Sequence, residues 1–233
     1  MTQTTYWHHK KVVITGGTSG LGKALALQLL AQGAQVAIIA RTAAPLKALA
    51  QEYPALIALQ GDVSVKEQIH PLAGEIHARL GDVDILIHAA STLGATPLRP
   101  LLDTDCEDLE QVLQTNLIGP FRLTKALLPG MVLRQQGLVL NISSDAAVSA
   151  YATWGSYSVS KAALDHLTRV WDAELAPQGV RFLALDPGDM ATPMHFAAIP
   201  DADPGQLRDP ADSATRILEL VAAEDFSHVR RGV

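Results

Sequence analysis

The stretch Lys11-Val12-Val13-Ile14-Thr15-Gly16-Gly17-Thr18-Ser19-Gly20-Leu21-Gly22 decides how the rest of the chain is read. It opens with a short apolar run of the kind that forms a buried strand. Glycines follow at once, and Lys23 to Gln32, rich in Ala and Leu, then read as a helix closed by Gly33. Strand, glycine turn and helix are the three parts of a dinucleotide-binding unit. The glycines let the backbone turn tightly and approach a pyrophosphate, whose charge the helix N-terminus stabilises. A glycine pattern alone is a weak signal, but here the strand precedes it and the helix follows, as the reading requires.

Two other phosphate loops compete for the same residues. Gly17-x-x-x-x-Gly22-Lys23 approaches the loop of nucleotide triphosphatases, but Ala24 stands where Ser or Thr must ligate magnesium. A Gly-x-x-Gly-x-x-Gly loop counted from Gly16 needs a further glycine where the chain has Ser19. The observed spacing is Gly16-x-x-x-Gly20-x-Gly22.

Beyond the loop, apolar runs near Val12–Thr15, Gln35–Ala40, Leu56–Gln60, Ile85–Ala89, Gly137–Ile142 and Arg181–Leu185 read as strands. Helical patterns fill the gaps, including Asp105–Leu128, Ser156–Ala176 and Pro210–Ala223. This alternation predicts an α/β fold, a doubly wound parallel sheet of the Rossmann type with helices on both faces, as one domain over residues 1–233. Ligands of such sheets bind outside the carboxyl ends of the strands. The glycine loop, Asp62, His88–Ser91, Ser143–Ser144 and Pro187–Gly188 each follow a predicted strand. Residues 187–210, which hold Pro193, Pro200, Pro204 and Gly205, are the most irregular and are expected to cover the site.

Composition narrows the classes. At 233 residues the chain can bury a substantial core, and 48% hydrophobic residues exclude a disordered chain. A net charge of −6 without any block of Lys or Arg argues against nucleic acid or anionic membrane as partners. No apolar run reaches the ~18 residues of a membrane span, and the polar start lacks a signal-peptide core. Cys106 is the one cysteine, so neither an intrachain disulfide nor a cysteine metal cluster is available. A cytoplasmic protein without a metal is expected, and the Asn141-Ile142-Ser143 sequon is read as accidental.

Tyr157 and Lys161 read, on their spacing alone, either as a helix-surface pair or as an acid–base pair, and the motifs elsewhere in the chain favour the second. Four residues apart on a helix, they share one face with Cβ atoms ~5–6 Å apart. A free tyrosine titrates near pH ~10, too high to exchange protons at neutrality. A fixed ammonium nearby favours the phenolate and is expected to lower that value, making Tyr157 a general acid or base.

Thr15-Gly-x-x-x-Gly-x-Gly22, Asp62-Val63, Asn116, Ser144, Tyr157-x-x-x-Lys161 and Pro187-Gly188 with Thr192 occur together and in this order. In them the chain resembles the short-chain dehydrogenase/reductase family, in its compact single-domain branch, from about Lys11 to Leu220. The resemblance implies an enzyme that passes hydride between a nicotinamide and a carbonyl carbon, with Asn116, Ser144, Tyr157 and Lys161 as the catalytic set. Ser144, rather than its neighbour Ser143, would hydrogen-bond the substrate carbonyl. Asn116 would create a helix kink whose carbonyl holds a water touching Lys161, and Lys161 would also bond the nicotinamide ribose. Around the cofactor the resemblance places Gly16, Thr18, Ser19, Gly20, Leu21 and Gly22, Asp62 and Val63 at the adenine, Ala89 and Ala90, and Pro187, Gly188 and Thr192 at the carboxamide. Where the family shows Asn-Asn-Ala-Gly, this chain has His88-Ala89-Ala90-Ser91. The end at Val233 leaves little room for the family's terminal strand.

Cofactor choice turns on one position. The strand Gln35–Ala40 ends in uncharged Ala40, where an NAD-specific chain carries Asp or Glu for the ribose 2′-hydroxyl. Arg41 follows, with Thr42 beside it, and a guanidinium can grip a 2′-phosphate in a bidentate way, helped by Thr42 and Ser19. NADP(H) is therefore expected over NAD(H). Leu93, Ala146, Tyr151, Trp154, Met190, Met194, His195 and Phe196 are the candidate substrate pocket, apolar enough for a neutral ketone, aldehyde or secondary alcohol. Apolar residues beyond one inward stripe, such as Leu164, Leu167, Val170 and Trp171, predict a homodimer or homotetramer. The alternatives at this stage are a dinucleotide-binding regulatory protein without turnover, a purely structural interaction protein, and an epimerase or dehydratase on the same scaffold.

Overall fold

The computed structural model of the chain describes residues 6–224 and 226–233. Its strands are β1 (Lys11–Thr15), β2 (Gln35–Ala40), β3 (Ile57–Gln60), β4 (Ile85–His88), β5 (Gly137–Ile142), β6 (Val180–Asp186) and β7 (Arg230–Gly232). They form one sheet in the order β3-β2-β1-β4-β5-β6-β7, with every pairing parallel. The Rossmann-type architecture read from the sequence is the one found. Order reverses at β1, which lies between β2 and β4. The crevice at that switch point is where a doubly wound sheet takes its ligand.

The strands read as unbroken apolar runs because both faces are covered. Val12 and Ile14 point into one core with Leu25, Leu29 and Ile217, whereas Val13 points into the other with Leu86, Leu123 and Phe182. The first core is closed by α1 (Gly20–Ala31), α2 (Ala43–Glu52) and, near the end of the chain, α8 (Pro210–Ala222). The second is closed by α3 (Lys66–Arg79), α5 (Gly119–Arg134) and α6 (Gly155–Leu175). Among the described residues no helix is long and apolar enough to cross a membrane.

Three boundaries differ from expectation in informative ways. The helix expected over Asp105–Leu128 is broken into α4 (Cys106–Leu113), a π-helical turn over Gln114–Ile118, and α5, which runs on to Arg134. Gly119 and Pro120 begin α5, and the missing Pro120 N–H is the disturbance of the hydrogen-bond ladder that their sequence foretells. The glycine loop is shorter than expected, since α1 already starts at Gly20. The chain end, expected to leave little room for a terminal strand, does carry one: β7 pairs with β6 through Ala184↔Arg230 and Asp186↔Gly232. Three residues suffice because Val233 N–H also donates to the Asp186 carbonyl, at 3.0 Å.

Candidate active site

The carboxyl ends of β1, β2, β4, β5 and β6 frame one cleft of about 400 Å³. Its floor is the glycine loop. Gly16 adopts φ +73°, and a Cβ there would meet the Ala90 backbone at 2.8 Å. At Gly22 a Cβ would lie 2.3 Å from the Gly16 carbonyl oxygen, so only glycine lets α1 begin this close beneath the loop. Ser19, at the N-cap of α1, makes no side-chain bond to the helix, and the first turn carries no acidic residue. The helix N-terminus therefore offers N–H groups and positive potential to an anion, as a dinucleotide pyrophosphate requires. The residues present fit that group.

The cleft is lined by most of the expected residues. Gly16, Thr18, Ser19, Gly20, Leu21, Gly22, Arg41, Thr42, Asp62, Val63, Ala89 and Ala90 lie along one side. Ser144, Tyr157, Lys161, Pro187, Gly188 and Thr192 lie along the other, with Leu93, Trp154, Met190, Met194 and His195. Four expected residues do not line it. Asn116 and Ala146 are buried beside the cleft, Phe196 lies outside it, and Tyr151 is half exposed. The Tyr151 hydroxyl donates to Asp145 Oδ2 at 2.6 Å. Asp145 and Asp189, which the sequence does not single out, also line the cleft. Their place directly after Ser144 and Gly188, at two strand ends, was the available signal.

Asn116 sits in the π-helical turn, and its side chain is fully engaged. Its Oδ1 accepts from Thr92 N–H at 2.8 Å and from Ser91 Oγ at 3.2 Å. Its Nδ2 donates to the Thr92 carbonyl at 2.8 Å and to Ser160 Oγ at 3.0 Å. These bonds tie the loop after β4 to α6, where Ser160 directly precedes Lys161. A buried amide with all its bonds made stabilises its position rather than costing free energy.

Lys161 is buried and donates from Nζ to the Ile142 carbonyl at 2.7 Å. Burial pulls its ammonium down to about 8, while the carboxylate of Asp165, one turn further along α6, opposes that fall. Tyr157 is also buried, its ring 5.8 Å from that of Trp154 and packed with Leu93 and Ala146. Here the structure reverses an expectation. Burial pushes the Tyr157 hydroxyl up to about 12, helped by the Asp186 and Asp145 carboxylates and opposed by hydrogen bonds with Ser144 and Ser91. The reason is geometric. Lys161 Nζ stands over the face of the Tyr157 ring, 5.5 Å from its centroid, and gives its hydrogen bond to Ile142. Loss of water around the phenol therefore outweighs the nearby cation.

Ser144 Oγ accepts from Ala146 N–H at 3.1 Å and donates to Asp145 Oδ1 at 3.0 Å. For Asp145, burial works upward, but the bonds from Tyr151, Ser144 and Ala146 and the charge of Arg230 prevail and hold its carboxyl below the usual range. His88, which ends β4, is fully buried, and burial with the charge of Lys161 pulls its imidazole down to about 3. It stays neutral, with Nε2 bonded to Thr124 Oγ1 at 2.8 Å and away from the cleft. Arg41 Nη1 lies 4.0 Å from Asp62 Oδ2 and is largely exposed, whereas Asp62 Oδ1 accepts from Ser64 N–H and Oγ. An exposed pair at that distance holds Arg41 only weakly, so its guanidinium is free to turn to a phosphate.

Comparison with known proteins agrees with this geometry. A short chain dehydrogenase of Pseudocercospora fijiensis is 38% identical over 193 residues, covering 78% of this chain and 60% of its own length. This chain thus spans less than two thirds of that relative. The 2-(R)-hydroxypropyl-CoM dehydrogenase of Xanthobacter autotrophicus is 28% identical, with 93% and 92% covered. A short chain dehydrogenase from Shigella flexneri, solved in complex with NADP, superposes with a TM-score of 0.84 at 27% identity, with 92% of each chain covered. The family model of short chain dehydrogenases matches residues 10–202, and with the glycine loop and the Tyr157–Lys161 pair on one cleft, the chain belongs to that family.

Proposed function

We propose that the chain is an NADP(H)-dependent oxidoreductase that interconverts a ketone or aldehyde and its alcohol, with Tyr157 as the proton donor or acceptor. The observation that carries this reading is the gathering of Ser144, Tyr157 and Lys161 on the cleft that also holds the glycine loop. A reduced nicotinamide supplies the hydride when bound; the chain supplies position and protons. Ser144 Oγ donates to the substrate oxygen, which must take that bond over from Asp145. A hydroxyl held neutral by burial gives its proton to the forming alkoxide, so reduction is the direction that needs no prior ionisation of Tyr157. Lys161 holds positive charge against the face of the ring, and Asn116 ties the helix that carries it to the loop after β4. Residues 187–210, including the short helix α7 (Pro193–Ala198), act as the cover, with Leu93, Trp154 and Met194 forming an apolar wall for a neutral substrate. The name of the Xanthobacter relative, a dehydrogenase of a hydroxypropyl compound, is in keeping with this chemistry.

NADP(H) preference follows from Arg41 and Thr42 on the cleft beside Ala40, with no carboxylate at that strand end. The Shigella structure complexed with NADP supports the same choice. A charged hydrogen bond contributes ~1.5–3 kcal/mol, roughly ten- to a hundredfold in affinity. Arg41→Ala is expected to erase a preference of that size in kcat/KM for NADPH over NADH while leaving kcat nearly unchanged. Wild-type preference for NADH would refute the cofactor assignment.

A homodimer or homotetramer completes the reading. Leu164 belongs to the core, but Val159 and Val170 on α6 and Leu133 on α5 are exposed, and Trp171 stacks on Phe121 between the same helices. Such apolar exposure on helices is expected to be covered by a second copy. Light scattering at micromolar concentration should give at least twice the mass of the chain, and a monomer would contradict this.

A further inference from the structure

After α8 the chain returns to the sheet and carries one guanidinium beneath the site. Arg230, on β7, does not line the cleft. Its Nε donates to Asp165 Oδ2 at 2.7 Å, its Nη2 donates to the Ser144 carbonyl at 2.9 Å, and the same Nη2 lies 3.5 Å from Asp186 Oδ2. Each partner leads to the cleft. Ser144 places its hydroxyl there, Asp165 lies one turn from Lys161, and Asp186 accepts from Gly188 N–H at 3.1 Å. Asp165 is buried, and its other oxygen, Oδ1, has no hydrogen-bond partner among the described residues.

Resting on the function proposed above, we propose that Arg230 is a positioning residue of the reaction, which fixes the Ser144 backbone with one arm and balances Asp165 beside Lys161 with another. A guanidinium suits this because its donors lie in one rigid plane and point in fixed directions. An ammonium at the same place carries the charge but not the fork. A buried carboxylate also needs a partner, and Arg230 prevents Asp165 from acting on Lys161 as an unbalanced charge. The groups facing Lys161 are Tyr157 and Asp165 on its own helix and His88 from β4, while Arg230 reaches it through Asp165. Asp145 and Asp186 act on the neighbouring Tyr157.

The test compares Arg230→Met, Arg230→Lys and Asp165→Asn with the wild-type chain, each first checked by thermal melting. Two quantities are read: kcat with a ketone the wild type reduces, and the alkaline limb expected where Lys161 loses its proton. Arg230→Met should lower kcat at least tenfold and move the limb to higher pH, because Asp165 then holds the Lys161 proton alone. Asp165→Asn should move the limb to lower pH. Arg230→Lys should lose kcat, because one ammonium cannot span both partners, while its limb stays near the wild-type position. The limb is also read from the pH dependence of NADPH binding by protein fluorescence, which needs no turnover. Failure of the wild type to reduce any ketone would count against the proposed function and leave this second reading to decide on Arg230. If Arg230→Met does not fold, the kcat loss in Arg230→Lys and the downward limb in Asp165→Asn carry the test. A uniform loss of kcat with an unmoved limb, or folded variants with wild-type kcat, would overturn the proposal.

Discussion

Tyr157→Phe is expected to lower kcat by the ~10²–10⁴-fold typical of a lost general acid, with dinucleotide affinity almost unchanged. The substitution isolates one atom. The Tyr157 ring is buried against Leu93, Ala146 and Trp154, and phenylalanine keeps all of that packing. Only the hydroxyl goes, and with it the proton that the proposed mechanism gives to the forming alkoxide. Ser144 remains to polarise the carbonyl, so residual turnover above the solution reaction is expected. Single-turnover kinetics separate the chemical step from cofactor binding, which is measured independently by fluorescence titration. A folded Tyr157→Phe chain with near wild-type kcat would remove the acid from the mechanism.

Lys161→Ala is expected to damage two quantities at once. The ammonium stands over the Tyr157 ring and bonds the Ile142 carbonyl at the end of β5, where the cleft begins. The proposed mechanism sets its charge beside the phenol, and the family resemblance implies that it also bonds the cofactor ribose. A charged hydrogen bond of ~1.5–3 kcal/mol corresponds to roughly ten- to a hundredfold weaker dinucleotide binding, and the loss in kcat adds to it. Asp165 keeps its partner Arg230 in the variant, so the fold is expected to survive. Loss of kcat with unchanged dinucleotide affinity would confine Lys161 to the acid–base step. Melting and dinucleotide titration of the same preparation distinguish these outcomes from misfolding.

What could be read in the sequence follows the range of each interaction. The glycine loop is local, and Gly16 and Gly22 are glycines because the backbone itself, Ala90 in one case and Gly16 in the other, occupies the space a Cβ would take. The Tyr157–Lys161 pair is local too, since helix geometry fixes which residues share a face. Depth of burial is not local. Spacing set the ammonium beside the phenol, but it could not show that the phenol would be enclosed by Leu93, Ala146 and Trp154, and burial decided the direction of its shift. The break at Gly119-Pro120 was legible as a disturbance, whereas the four bonds of the Asn116 side chain depend on Thr92, Ser91 and Ser160 from distant segments. β7 escaped notice because Arg-Arg-Gly has neither β-branched residues nor apolar alternation. Its place is set by pairing with β6 and by the bonds of Arg230 to Asp165, 65 residues earlier in the chain. Tyr151 was misplaced for a similar reason. It lies close to Trp154 in sequence, but its hydroxyl is tied to the Asp145 carboxylate and its ring stays half exposed instead of lining the cleft.

In the proposed function this cleft passes hydride from a nicotinamide to a carbonyl carbon. The most direct measurement incubates the protein with a panel of neutral ketones and aldehydes and NADPH carrying deuterium at C4 of the nicotinamide, prepared separately with the label on each face. Mass spectrometry of the alcohol products should find deuterium at the former carbonyl carbon from one labelled face and not from the other. Oxidation of the cofactor without deuterium in any product, or no turnover of any member of the panel, would rule out hydride transfer to a carbonyl carbon in this cleft.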